Sequence, residues 1–411
     1  MADSVENASS SSSLPAWRAN AQPIVEAGRD FLVRPDIAFL NHGSFGARPR
    51  PVVEEYQRWQ RELEAQPVAF LGRRLPGLLA EARTSVASFL NVGPNDLVFV
   101  PNATHGMNII ARSLVLEPGD EVLGTDHEYG AVERTWRFNC ARQGAVYRTQ
   151  PISVPVSSAE AIIDELWQGV TERTRVIVIS HISSPTALIL PVAEIAQRAA
   201  SQGILTAIDG AHAPGQLELH LPEVGADFYV GNGHKWLSGA VGAGFLYARP
   251  DRHRLLKPLI VSWGWEPREP GPSPFIDLFD WIGTDDPAAY LSLPTAIAYQ
   301  RDHAWPAVRA TCHVLARHAQ EQITLITGMP PVSSDSSEWW VQMFVAPIPI
   351  RENLSVKEIQ HRLWEDFQVE VPITDWQGHR FVRVSIQAYN SVADVERLLE
   401  GLRQLRAVGA L

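Results

Sequence analysis

The residues with the most chemistry to offer fall where apolar runs end. Lysine occurs only at Lys235, Lys257 and Lys357 in 411 residues, so lysine-based chemistry has three candidates. Lys357 falls on an amphipathic helical pattern and Lys257 in the polar stretch 251–257. Lys235 lies between apolar runs, in Gly231-Asn232-Gly233-His234-Lys235-Trp236, where glycines let the backbone approach a ligand. Burial and a neighbouring cation lower a lysine pKa and favour attack on a carbonyl. The plainer reading is a lysine whose head reaches solvent. Asp209 ends the apolar run 204–208, in Asp209-Gly210-Ala211-His212. A carboxylate there needs a partner: a salt bridge, a helix cap, or the protonated nitrogen of a bound heteroaromatic ring. His212 reads equally well as a core histidine. After Leu97-Val98-Phe99-Val100 comes Pro101-Asn102-Ala103-Thr104-His105-Gly106, leading into a helix. The first N–H groups of that helix and the Thr104 hydroxyl make a phosphate cup, unless Thr104 is only a cap.

Competing motifs are absent. The chain has no GxxxxGK[ST] loop, no GxGxxG after the first strand and no HExxH. Asp209 and His212 gain no further ligands at metal spacing.

The elements that must position these residues alternate. Apolar strands are expected at 97–100, 121–123, 175–180, 204–208, 228–230 and 244–247, with helices near 108–116, 131–143 and 192–201 between them. That pattern predicts βαβ units and a mostly parallel sheet, covered by helices on both faces. Ligands in such sheets bind beyond the carboxyl ends of the strands, where the chemistry-bearing residues fall. Helical periodicity at 51–65 and 75–90 precedes the sheet. Residues 262–287, rich in Pro, Gly and Trp (Trp263, Trp265, Trp281), read as a long ordered loop, either a pocket rim or interface packing. A helix at 294–322 and mixed strands (339–345, 381–386) and helices (356–367, 392–405) then predict a smaller α+β domain. The expected division is a disordered tail at 1–14, an N-terminal segment at 15–69, a large domain at 70–295 and a small one at 296–411.

Taken together, Asn102-Ala103-Thr104-His105-Gly106, Asp126-His127-Glu128-Tyr129, Ser180-His181, Asp209-Gly210-Ala211-His212 and Gly233-His234-Lys235 resemble the class V aminotransferases of the type I pyridoxal 5′-phosphate (PLP) fold. Asn41-His42-Gly43-Ser44-Phe45-Gly46 and His127-Glu128-Tyr129-Gly130 are most similar to the isopenicillin N epimerase-like branch. The resemblance spans about 35–405. It implies a Schiff-base lysine at Lys235, which also moves the substrate α-proton, and Asp209 paired with the pyridinium nitrogen. It further implies His212 on the ring 3-hydroxyl, Tyr129 stacked on the ring, and Ala103, Thr104, Asn232 and His234 around the phosphate. Many relatives carry serine where this chain has Asn232. Thr284 matches a segment reaching the other subunit's phosphate, which implies a homodimer with shared sites. Asn41 and Arg383 match substrate-binding positions, Arg383 for the carboxylate, since a guanidinium fork suits one. A surface salt bridge is the alternative for Arg383.

The resemblance implies chemistry at an amino-acid α-carbon. Loss of the α-proton gives one carbanion, from which epimerisation, β-elimination of sulfur or transamination can follow. Epimerase and C–S lyase are favoured, with aminotransferase next and a non-catalytic binding or regulatory protein as the alternative of another class. Cysteine desulfurases need a cysteine shortly before the arginine, and 371–380 contains none.

Composition bounds the rest. A net charge of −11 and a pI near 5.6 argue against a nucleic-acid partner. The two cysteines, Cys140 and Cys312, stand in no metal or redox spacing. No apolar run approaches the ~18 residues that span a bilayer, and the polar, serine-rich N-terminus does not read as a signal peptide. The expectation is a cytoplasmic enzyme.

Overall fold

The computed structural model describes residues 22–411. The expected tail at 1–14 lies outside them. Twelve strands run in chain order: β1 (Ala38–Phe39), β2 (Leu97–Val100), β3 (Glu121–Thr125), β4 (Val146–Gln150), β5 (Thr174–Ser180), β6 (Leu205–Gly210), β7 (Phe228–Asn232), β8 (Gly244–Ala248), β9 (Met343–Pro347), β10 (Val369–Glu370), β11 (Ile373–Trp376) and β12 (His379–Ser385). Seven of them form the central sheet, in the order β2-β8-β7-β6-β5-β3-β4. Only β8 runs against its neighbours.

Why these runs make a sheet covered on both sides is visible in how their residues divide. Leu97, Phe99, Ile177, Ile179, Ile208, Tyr229 and Phe245 enter one apolar cluster. Val98, Val100, Val176, Val178, Ala207, Phe228, Val230 and Leu246 enter another. Successive residues of a strand point to opposite faces, so an unbroken apolar run fills two cores at once. The helices Ala103–Ser113, Gly130–Gln143 and Val192–Ser201 supply the covering faces. A second sheet, β11-β12-β9, is antiparallel; Trp305–Thr327 packs on β9 and Val356–Phe367 on β11, and Val392–Ala407 packs against both helices. The short strand β1 pairs in parallel with β10. The architecture is the expected one: a mostly parallel sheet flanked by helices, and a smaller α+β unit.

Several expectations need correction. The helix after β2 begins at Ala103, not near 108, because the Asn102 side chain accepts the His105 N–H at 2.9 Å. Asn102, and not Thr104, is the cap. The helix expected over 294–322 is two, Leu293–Asp302 and Trp305–Thr327, separated at Ala304 (φ 48°). Pro306 causes the break: it has no N–H, and its ring would strike the preceding turn. The long loop at 262–287 contains a helix, Pro274–Asp280, whose cap Ser273 accepts the Ile276 N–H. The strand expected over 339–345 starts at Met343. Strands β4 and β11 and the helix Ala159–Trp167 were not foreseen. Among the described residues no helix is long and apolar enough to cross a membrane.

Candidate active site

A cavity of about 580 Å³ opens at the carboxyl ends of β5, β6 and β7. Each wall comes from the turn that follows a strand. Ser180 ends β5 and lies in register with Asp209 on β6, and Asn232 ends β7. The N-terminus of Ala103–Ser113 contributes Asn102, Ala103 and Thr104. Tyr129, His212, His234 and Lys235 complete the polar lining, and Ser44 and Ser184 stand at one side.

Lys235 Nζ lies 3.0 Å from His212 Nε2. Burial pushes the amine down to about 8, Asp209 opposes that shift and Arg383 adds to it. Asp209 is buried, and burial pushes its carboxyl up against the Ala211 N–H at 2.9 Å and the charge of Lys235. His212 sits well below the usual histidine range because of burial and Lys235. Its Nδ1 accepts the Trp236 indole N–H at 3.3 Å, which leaves Nε2 facing the lysine.

Arg383 lies within β12 nearly buried, held down to about 10 by desolvation. Nη1 donates to the Ser184 carbonyl and hydroxyl at 2.9 and 3.0 Å, and Nη2 donates to Ser44 Oγ at 3.0 Å. Its Nε is buried without a partner, as is His234 Nδ1. An orphaned buried donor and an orphaned ring nitrogen beside an open cavity are what an anionic ligand would satisfy.

Not every expected residue faces the cavity. The Asn41 amide is spent on Ser44 Oγ (2.6 Å) and Glu370 Oε1 (3.0 Å), so Ser44 stands at the wall in its place. Asn232 Oδ1 accepts the Ala103 N–H at 2.8 Å, which ties β7 to the helix start and occupies that N–H. Thr284 lies exposed on the loop after Pro274–Asp280 and does not line this cavity. Among the described residues no three His, Cys, Asp or Glu side chains are grouped to hold a metal.

Two residues quoted in the sequence motifs without a role prove central. Glu128 is buried, with Thr125 Oγ1 and Ser180 Oγ each donating to one of its oxygens at 2.7 Å. Burial pushes it up to about 8, and Asp209 adds to the rise. The other is His42, buried behind the lysine loop with its Nε2 3.0 Å from the Lys235 carbonyl oxygen. Their sign in the sequence was only proximity to chemistry-bearing neighbours.

A family model described as aminotransferase class-V matches residues 39–398. The chain belongs to the aminotransferase class-V family. A class-V relative, the isopenicillin N epimerase of Amycolatopsis lactamdurans, is 34% identical over 402 residues, covering 95% of this chain and 98% of that protein. A putative L-cysteine desulfhydrase of Oryza sativa subsp. japonica is 30% identical, covering 91% and 84%. Among solved structures, a C-DES variant with glycine covalently linked to its PLP cofactor superposes with a TM-score of 0.77. That chain is 21% identical, and the match covers 90% of this chain and 96% of that one. This protein is a PLP-dependent class-V enzyme, and its cavity fits the cofactor: a partly desolvated lysine, a buried carboxylate one strand away, and a helix N-terminus with an unpartnered histidine nitrogen nearby.

A pH prediction follows for this class-V enzyme. If Lys235 captures the cofactor aldehyde, only its neutral amine attacks, so capture by the cofactor-free protein should accelerate with pH and level off above about 8. An ordinary lysine would level off near ~10.4. Stopped-flow absorbance at the visible band measures this, and a rate still climbing past pH 10 would contradict the geometry.

Proposed function

We propose that the protein acts at the α-carbon of an amino acid, removing the α-proton and then either returning it to the opposite face, as an epimerase, or expelling a β-sulfur substituent, as a C–S lyase. The observation that carries the reading is that Lys235 and Asp209 line one cavity while Arg383, on β12, bonds Ser184 and Ser44 in its wall. Lys235 would anchor the cofactor covalently, and its Nζ would carry the substrate α-proton. Asp209 would pair with the ring nitrogen, His212 Nε2 would bond the ring hydroxyl and Tyr129 would pack against the ring. Thr104, the Asn232 amide nitrogen and His234 Nδ1 would hold the phosphate beside the helix start, where the Ala103 N–H is already taken by Asn232 Oδ1. Bound there, PLP supplies an electron sink for the α-carbon. Arg383 holds the substrate carboxylate, with Ser44 and, behind it, Asn41 orienting the fork.

Persulfide-forming desulfuration is disfavoured by the thiols themselves. Cys140 and Cys312 are buried, and burial pushes them up to about 11 and about 12, so neither offers a thiolate. We further propose a homodimer in which Thr284 completes the other subunit's phosphate site. Phe45 and Val241 at the cavity mouth are 74% and 62% exposed, and Trp263 is 81% exposed, which supports a covering partner. The reading keeps the division at 70–295 and 296–411, joined by the segment before 70, and places the enzyme in the cytoplasm.

Proton NMR in deuterated water, with a panel of amino acids, tests the function. Deuterium at Cα with inversion supports the epimerase, and pyruvate with ammonia supports the lyase. A keto acid formed only with an acceptor would replace both by transamination, and no turnover of any amino acid would sink the catalytic reading. Arg383→Lys is expected to raise KM about 10–100-fold, because a point charge replaces a fork that carries about 1.5–3 kcal/mol of charged hydrogen bonding. Initial rates against substrate concentration check this; an unchanged KM would remove Arg383 from the substrate site.

A further inference from the structure

Residues 41–46 bond to both halves of the site. Gly43 N–H donates to Ser385 Oγ at 3.2 Å, and Ser44 Oγ accepts from Arg383. Gly46 has φ +75°, and a Cβ there would lie 2.0 Å from the His234 carbonyl oxygen and 3.0 Å from that of Lys235. Only glycine lets this chain run so close against the lysine loop.

His42 stands between, fully buried. Its Nε2 is 3.0 Å from the Lys235 carbonyl oxygen and its Nδ1 is 3.1 Å from the Tyr389 hydroxyl. A carbonyl only accepts, so Nε2 carries the proton and donates, and Nδ1 accepts from Tyr389. Gln387 Nε2, 3.3 Å from the same ring nitrogen, is itself a donor and adds no bond there. Burial holds His42 down at about 3, so the ring is neutral and this one tautomer persists. The ring also packs against Trp236, with centroids 5.0 Å apart. Lys235 O takes a second bond from Ser238 N–H at 2.9 Å, which closes the lysine's own turn. Tyr389 follows β12, the strand that carries Arg383.

We infer that His42 is a positioning residue: its imidazole bridges the Lys235 backbone to the chain that follows Arg383, and so sets the distance from the proton-moving amine to the carboxylate-binding guanidinium. The inference rests on the roles proposed above for Lys235 and Arg383. A displaced base loses rate far more than it loses binding, since an error near 1 Å costs about 10²-fold.

Two variants of the cofactor-loaded, full-length protein test it. His42→Phe keeps a ring against Trp236 and removes both bonds. Tyr389→Phe removes only the hydroxyl and leaves its own ring packed on Phe31 and Phe39. For each, kcat and KM for Cα–H exchange are measured with the pH midpoint of the lysine-bound visible band and the thermal midpoint. His42→Phe is expected to lower kcat at least about tenfold with KM changed less than about twofold, and to move the band's pH midpoint by about half a unit. Tyr389→Phe should do the same more weakly, and His42→Gln, whose amide can reach the Lys235 carbonyl, should recover part of the loss. Unchanged kcat per bound cofactor and an unmoved band, even with lowered thermal stability, would reduce His42 to packing and overturn the inference. If His42→Phe does not fold, Tyr389→Phe decides by the same two readouts. A wild-type protein with no borohydride-fixed label on Lys235 would overturn the functional reading and this inference together; a normal wild-type label with unmoved variants overturns this inference alone.

Discussion

Lys235→Ala is expected to lower kcat by on the order of 10⁴, since the function proposed here gives one amine both the covalent anchorage and the α-proton. Lys257 and Lys357 cannot substitute, because neither lines the cavity. The protein should still bind PLP through its phosphate-binding residues, so the cofactor would be present yet removable by dialysis. Borohydride treatment followed by peptide mass analysis should place the reduced adduct on Lys235 in the wild type and nowhere in the variant. An adduct on another lysine, or activity within about tenfold of wild type, would move the chemistry elsewhere.

Asp209→Asn is expected to have the next largest effect. The aspartate lies buried at the end of β6 with one backbone N–H as its hydrogen-bond donor, and its charge otherwise faces Lys235. A buried carboxylate of this kind is stable when a cation meets it. Removing one member of a buried ion pair costs about 3–5 kcal/mol, so both cofactor affinity and kcat should drop by roughly 10²–10³-fold. The amide keeps the volume and the Ala211 contact, which separates lost charge from lost packing. Equilibrium titration with PLP and steady-state rates measure the two losses. A variant that binds cofactor normally and turns over at the wild-type rate would leave Asp209 a structural residue.

Much of this arrangement was legible in the chain. The centres of β5, β6 and β7 are largely apolar because both of their faces are covered, and a polar residue at the end of such a run marks the place where the sheet opens. That is why Asp209 and Lys235 stood out without a structure. Arg383 was found through resemblance alone, since an arginine on a strand looks like any surface pair. Glu128 and His42 stayed without roles because their meaning depends on distant partners: Ser180 on another strand for one, the Lys235 carbonyl and Tyr389 for the other. Asn41 is expected at the substrate, but its amide is turned toward Glu370 and Ser44, an orientation no spacing could reveal. Local rules failed at Ala304, where Pro306 breaks an otherwise continuous helical pattern, and at Pro274–Asp280, hidden by its proline- and tryptophan-rich flanks.

The bond from Asn41 to Glu370 joins residues 329 positions apart, and β1 pairs with β10 across a similar span. Closing such a loop is entropically expensive and slow, and it can happen only after residue 370 has left the ribosome. During synthesis the central sheet can form while Ser44 and His42 still lack Arg383 and Tyr389. A nascent chain could therefore take up cofactor early, yet would have no assembled grip on an amino acid until its final strand docks.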